Sequence, residues 1–80
     1  MTIVDVISLN GKQYSVEFEG VVTRMGVEWC ARCNYNGQIL QSDPYFVTDP
    51  NKLGGLEESV KGLLLSNLKS VMARTVIIDN

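Results

Sequence analysis

The chain has 80 residues, 45% of them hydrophobic, with seven basic and nine acidic side chains and a net charge of −2. That is room for one core and no second domain, an apolar content too high for disorder, and no cluster of positive charge of the kind that phosphate contact needs. No nucleic-acid partner is therefore expected, no apolar run approaches the length of a membrane span, and a chain without histidine has no Ser–His or Cys–His nucleophile of its own.

Met1 to Leu9 carries Asp5 and lacks a basic n-region, so no secretory leader is expected and a cytoplasmic setting with reduced thiols is the default. Ile3-Val4-Asp5-Val6-Ile7-Ser8-Leu9 leads to Asn10-Gly11, then to Lys12-Gln13-Tyr14-Ser15-Val16-Glu17-Phe18-Glu19. Val27 to Tyr35 leads to Asn36-Gly37, then to Gln38-Ile39-Leu40-Gln41-Ser42. Asn-Gly tolerates positive φ at both positions, as a type I′ turn requires, and between extended patterns it marks a hairpin. Two hairpins are expected, joined through Gly20 and the Arg24-Met25-Gly26 turn into a four-stranded antiparallel meander.

A two-residue loop pairs Leu9 with Lys12, Ile7 with Tyr14 and Ile3 with Phe18. One face of the first hairpin then carries Ile3, Ile7, Leu9, Tyr14, Val16 and Phe18. Cys33 pairs with Leu40, and the matching face of the second hairpin carries Val27, Trp29, Ala31, Cys33 and Leu40. Alternation makes these the core-facing sets and turns Glu17, Glu19, Glu28, Cys30, Arg32 and Gln41 outward. Asp5 falls on the core face. A bulge or an edge position near the terminus is expected there, with a functional buried carboxylate as the alternative.

Asp43-Pro44 ends the fourth strand, since proline removes a ladder donor. Tyr45-Phe46-Val47-Thr48 reads as a short fifth strand or a packed loop, and Asp49-Pro50-Asn51 as a turn. Gly54-Gly55 precedes a helix from Leu56 to about Arg74, with Glu57 and Glu58 in its first turn and Lys69 and Arg74 near its end, both favourable to the helix dipole. The β-branched Thr75-Val76-Ile77-Ile78 suggests a last strand at the sheet edge. The fold class is α+β: a four-stranded antiparallel meander of two Asn-Gly hairpins, packed on one long C-terminal helix, in a single domain over residues 1–80.

Glu28-Trp29-Cys30-Ala31-Arg32-Cys33 resembles the active-site stretch of thioredoxin-like oxidoreductases, a tryptophan followed by Cys-x-x-Cys. The resemblance implies an exposed first cysteine, Cys30, activated at a helix N-terminus. Here Asn36-Gly37 turns the chain within three residues of Cys33, which leaves no helix to follow. Zinc would need four ligands, and two cysteines without histidine supply them only if two chains share one ion. On a strand, residues three apart point to opposite faces, which places Cys33 in the core and Cys30 outside. No catalytic, cofactor-binding or metal-ligating residue is assigned. A thiol redox protein or a zinc-bridged dimer is the alternative.

The helix divides its apolar residues into two stripes. Leu56, Val60, Leu63, Leu64 and Val71 form the stripe expected to pack on the sheet. Leu65, Leu68 and Met72 form a second, and the combined arc of roughly 200° exceeds what one partner surface covers. Beside them Ser59, Gly62, Ser66, Ser70 and Ala73 line up as small residues. An association interface is therefore expected at Leu65, Leu68 and Met72 with Gly62 and Ser66, and a homodimer is the expected partner arrangement; the alternatives are a dedicated partner, or cover by the chain's own loop from Pro44 to Leu53 or tail from Thr75 to Ile78. The function expected is that of a small non-enzymatic interaction or regulatory module without a cofactor. A protein partner would meet the outer sheet face at Glu17, Glu28, Cys30 and Arg32, or an exposed strand edge. The order of strands followed by a helix is similar to that of the HicB-like antitoxins, which implies a bacterial or phage setting; no residue motif of that group is present to carry a role across.

Overall fold

Two Asn-Gly turns set the sheet. In the computed structural model, which describes residues 2–48 and 55–75, Asn10 and Gly11 have φ of 52° and 78°, and Asn36 and Gly37 have φ of 53° and 87°. These are type I′ values, whose twist matches that of the strands they join. They connect β1 (Thr2–Leu9) to β2 (Lys12–Thr23) and β3 (Gly26–Tyr35) to β4 (Gln38–Gln41). Leu9 faces Lys12, Ile7 faces Tyr14, Ile3 faces Phe18 and Cys33 faces Leu40, the register the turns dictate. Strand order is β1-β2-β3-β4, all antiparallel, and a fifth strand, β5 (Tyr45–Val47), also pairs with β3. One C-terminal helix, α1 (Glu58–Arg74), packs on this sheet, so the fold is α+β.

β2 is longer than its sequence suggested. Gly20 was expected to interrupt it; instead the strand runs on to Thr23, with Gly20 opposite Trp29. The reason lies across the ladder. A Cβ at Gly20 would sit 2.9 Å from the Trp29 ring, so the missing side chain makes room for the indole, which is 1% exposed. Glycine inside a strand often marks such a close approach.

β4 and β5 are two halves of one edge, separated by a bulge. Between Arg32↔Gln41 and Trp29↔Tyr45, β3 advances three residues and its partner four. The extra residue falls at Ser42-Asp43-Pro44. The interrupted ladder is bridged locally: Ser42 donates its N–H to the Ala31 carbonyl at 2.8 Å, and the Ala31 N–H donates to the Ser42 hydroxyl at 2.9 Å. The helix also holds the bulge. Asp43 donates its N–H to Asn67 Oδ1 at 2.7 Å, and Asn67 Nδ2 donates to the Asp43 carboxylate at 3.3 Å.

The core lies between the sheet and α1. Its largest fully buried side chains are Trp29, Phe18, Leu64, Leu68 and Met72. Each such burial removes about 1.5–3 kcal/mol of unfavourable apolar hydration. The two-stripe division of the helix does not survive. Its buried residues are Val60, Leu64, Leu68 and Met72, spaced four apart. Leu68 is 0% and Met72 1% exposed against this chain's own sheet, so neither belongs to a surface stripe, and Leu65 is half-buried at the core margin. Leu63, expected on the sheet, is 55% exposed, and Val71 is only half-buried. The physical cause is ridge geometry. Residues four apart form a row inclined by about 26° to the helix axis, and a helix crossing a twisted sheet buries that slanting row rather than a straight stripe. Gly62 and Ser66, with Ser59, Ser70 and Ala73, lie on the exposed side.

Asp5 holds the edge position near the terminus that its pattern allowed, since β1 ends the strand order, and no bulge forms there. It stays in the ladder opposite Val16, on the helix side of the sheet, where its carboxylate pairs with the Lys61 ammonium. Lys61 also lies over the Phe18 ring, 5.7 Å from its centroid. The Lys61 hydrogen bond, then the Val6 N–H, then the lysine charge hold the Asp5 carboxyl below its ordinary value; the same bond raises Lys61. The lowered Asp5 pKa gives stability that is present above the ordinary aspartate range and lost as pH falls through the folded value. The raised Lys61 pKa gives stability that is present below the ordinary lysine range and lost as pH rises through the folded value. The clasp is therefore strongest between those ranges. Asp5→Asn should flatten the acid limb of a plot of unfolding midpoint against pH, and an unchanged limb would remove the clasp from the account.

The Thr75 N–H bonds the Met72 carbonyl at 3.2 Å and its hydroxyl the Val71 carbonyl at 2.7 Å, closing the helix. The expected terminal strand from Thr75 to Ile78 falls, beyond Thr75, outside the described residues, as does the Asp49-Pro50-Asn51 turn. No described helix is long and apolar enough to cross a membrane.

Candidate functional site

Alternation divides the sheet into two faces. The face away from α1 carries Val4 and Val6 from β1, Glu17, Glu19 and Val21 from β2, Glu28, Cys30 and Arg32 from β3, and Ile39 and Gln41 from β4. Glu17, Glu28, Cys30 and Arg32 thus share one surface. Arg32 reaches across to β2, where its Nη2 pairs with the Glu19 carboxylate and stands 3.8 Å from Glu17 Oε2. One guanidinium serves two carboxylates, and Glu28 adds a third acid to the same face. An open hollow of about 160 Å³ is lined by Glu19, Val21, Glu28, Cys30, Arg32 and Gln41. A wider one of about 430 Å³ includes Ser15, Glu17, Arg32, Asn34 and Ile39.

The two cysteines lie on opposite faces of β3. Cys33 is 3% exposed in the core, where burial pushes its thiol pKa up. Cys30 is half-buried on the outer face and directs Sγ–H to the Ser42 carbonyl at 3.3 Å, over the bulge. No helix follows Cys33; β3 runs on to Tyr35 and the Asn36-Gly37 turn. No group of three or more His, Cys, Asp or Glu side chains among the described residues is placed to hold a metal ion. Native protein treated with a thiol reagent at neutral pH is expected to react first at Cys30 and at Cys33 only after denaturant is added. Peptide mapping would read this, and equal early labelling would show that Cys33 is not sealed.

The two edges of the sheet differ in kind. The β4–β5 edge is broken by a bulge, contains Pro44 and is fastened by Asn67, three devices that blunt an edge against pairing. β1 has none of them. It is eight residues long without proline or lysine, and it lies at the end of the strand order. Because a two-residue turn makes Leu9–Lys12 a hydrogen-bonded pair, alternation commits Ile7, Asp5 and Ile3 to the ladder as well. The backbone N–H and C=O groups of Thr2, Val4, Val6 and Ser8 therefore face away from β2. One of them is taken: the Val6 N–H donates to Asp5 Oδ1 at 2.8 Å. Val4 and Val6 are 61% and 58% exposed on the outer side of this edge. The sequence had named an exposed strand edge without saying which; a strand whose outward positions carry no charge was the available signal.

A second exposed apolar group, Val21, Val22 and Met25, sits at the tip of the β2–β3 hairpin, where Val22 and Met25 are 73% and 76% exposed. Compared with known proteins, the chain matches no family model, no curated protein and no solved structure.

Proposed function

We propose that this chain is a small non-enzymatic interaction module that takes a protein partner as an added strand along β1. The observation that carries this is the contrast between its edges. Long apolar edges left open invite association, and proteins blunt those that have no partner. Here one edge is blunted three ways, whereas the other has only Asp5, turned to the helix side and holding the Val6 N–H, and leaves two valines bare. Strand addition then draws affinity from backbone hydrogen bonds and specificity from the side chains flanking the edge.

Leu68 and Met72 are interior, so neither can serve self-association through the helix. A homodimer stays within the proposal only as pairing of β1 with its own copy. Val4→Pro gives a clean test. The Val4 N–H points away from β2, so proline there leaves the internal ladder intact while removing an edge donor and placing its ring in the partner's path. A strand-forming peptide of eight residues, alternating valine and threonine, should bind the wild type and lose at least tenfold in affinity against Val4→Pro by fluorescence anisotropy. Circular dichroism should show the same fold for both. If sedimentation shows the wild type dimeric and Val4→Pro monomeric, the added strand is a second copy. Equal binding, or none in either protein together with a monomeric wild type, defeats the proposal.

A further inference from the structure

Resting on strand addition at β1, we propose that the strand accepted is basic: an extended segment in which lysine or arginine alternates with apolar residues. The two sides of the edge make different demands. On the helix side an incoming strand meets Ile3, 38% exposed, and further along β1 the buried Ile7, with a Lys61 ammonium already bonded to Asp5 between them in register. Apolar residues suit that side, and a cation there would face Lys61. On the outer side the strand meets Val4 and Val6; behind Val4 stands Glu17, behind Val6 Ser15, and Glu19 lies one step along, opposite Thr2. Neighbouring strands lie about 4.8 Å apart, so the added strand runs roughly 10 Å from the β2 backbone. A lysine or arginine stem lying across the exposed valines carries its charged head to those carboxylates.

The charges favour this partner over a second copy. Three acids, Glu17, Glu19 and Glu28, share the outer face with Arg32, and Arg32 approaches from the β3 side, leaving the flank toward β1 to the carboxylates. Glu17 is the less firmly held, at 3.8 Å, with a side chain 53% exposed. A second β1 would bring no base to this row. Of the two self-pairings nearest the strand's midpoint, the one centred on Asp5 would also set Asp5 opposite Asp5, and like charges directly opposite weaken a strand pair. The chain as a whole is acidic, at −2.

Three labelled eight-residue peptides, alternating valine with lysine, threonine or glutamate, separate the possibilities when titrated with the full chain at low and raised salt. The lysine peptide should bind at least tenfold tighter than the threonine peptide, and the glutamate peptide weakest. Raising salt toward 1 M should shrink the lysine advantage, because the screening length falls to about 3 Å and exposed ion pairs weaken. Glu17→Gln should reduce lysine-peptide affinity several-fold while leaving threonine-peptide affinity unchanged. If all three peptides bind alike and Val4→Pro abolishes each, strand addition stands and the basic preference is overturned. If the chain is a dimer that Val4→Pro dissociates, the occupant is a second copy, and the basic segment is again overturned. If no peptide binds a monomeric chain, both proposals fall together.

Discussion

Leu68→Ala is expected to lower the free energy of unfolding by about 2–5 kcal/mol, the cost of removing a fully buried leucine and leaving a cavity. Leu68 is 0% exposed, in the middle of the buried row Val60, Leu64, Leu68, Met72. A chain of 80 residues has, at roughly 0.05–0.15 kcal/mol per residue, about 4–12 kcal/mol to lose. The variant should therefore show a sharply lower urea midpoint, and a measurable unfolded fraction without urea if the chain lies near the lower figure. Leu63→Ala, on the same helix at 55% exposure, should change stability by less than about 0.5 kcal/mol. The pair also separates two accounts of the helix. A leucine at a subunit interface, once truncated, would weaken association and leave the monomer's midpoint nearly intact. A leucine in the core shifts the midpoint at any protein concentration.

That difference shows where the sequence was legible and where it was not. The hairpins could be read because turn chemistry and alternation are both local: Asn10-Gly11 and Asn36-Gly37 fix positive φ, and the register of every pair follows by counting. The same counting put Glu17, Glu28, Cys30 and Arg32 on one face and Cys33 on the other. Features that depend on a distant neighbour stayed hidden. Gly20 looks like a break until Trp29 lies over it. Asp5 looks misplaced on a core face until Lys61 arrives from the helix. The helix was misread because its apolar residues were weighed as straight stripes, whereas contact with a twisted sheet selects a slanting row; a wheel carries no information about the angle of crossing. The bulge at Ser42-Asp43-Pro44 was half visible, since proline announced a break but not that Tyr45–Val47 would resume pairing with β3. The open edge was only hinted at, by the uncharged outward positions of β1, for a related reason. Local pattern shows that β1 is a strand, and only the order of the assembled sheet shows that nothing among the described residues lies beyond it.

Two glycine-to-alanine changes should move stability in opposite directions, and the difference tests how β5 is held. Gly26 begins β3 at the close of the β2–β3 turn with φ of 149°, a backbone that side chains rarely adopt. A Cβ there would lie 2.1 Å from the Val47 carbonyl oxygen, which is backbone and cannot swing aside as a side-chain tip can. Relief requires Val47 to withdraw, and Val47 is the residue that pairs with Val27 at one end of β5. Strain of about 1–3 kcal/mol at the dihedral and a similar penalty for overpacking give an expected loss of about 2–4 kcal/mol, allowing for partial relaxation. Gly62 lies on the exposed side of α1 with nothing within 4 Å of an added Cβ. Alanine there should stabilise by up to about 1 kcal/mol, the helix-propensity difference alone. Both variants can be compared with wild type by urea unfolding, and hydrogen exchange at Trp29, which pairs with Tyr45, reports on β5 directly. Gly26→Ala with faster exchange at Trp29 and a lowered midpoint would show that β5 is part of the cooperative fold. Faster exchange with an unchanged midpoint would make β5 a strand that peels away at little cost, and the β4–β5 edge would then be less well guarded than the contrast with β1 requires.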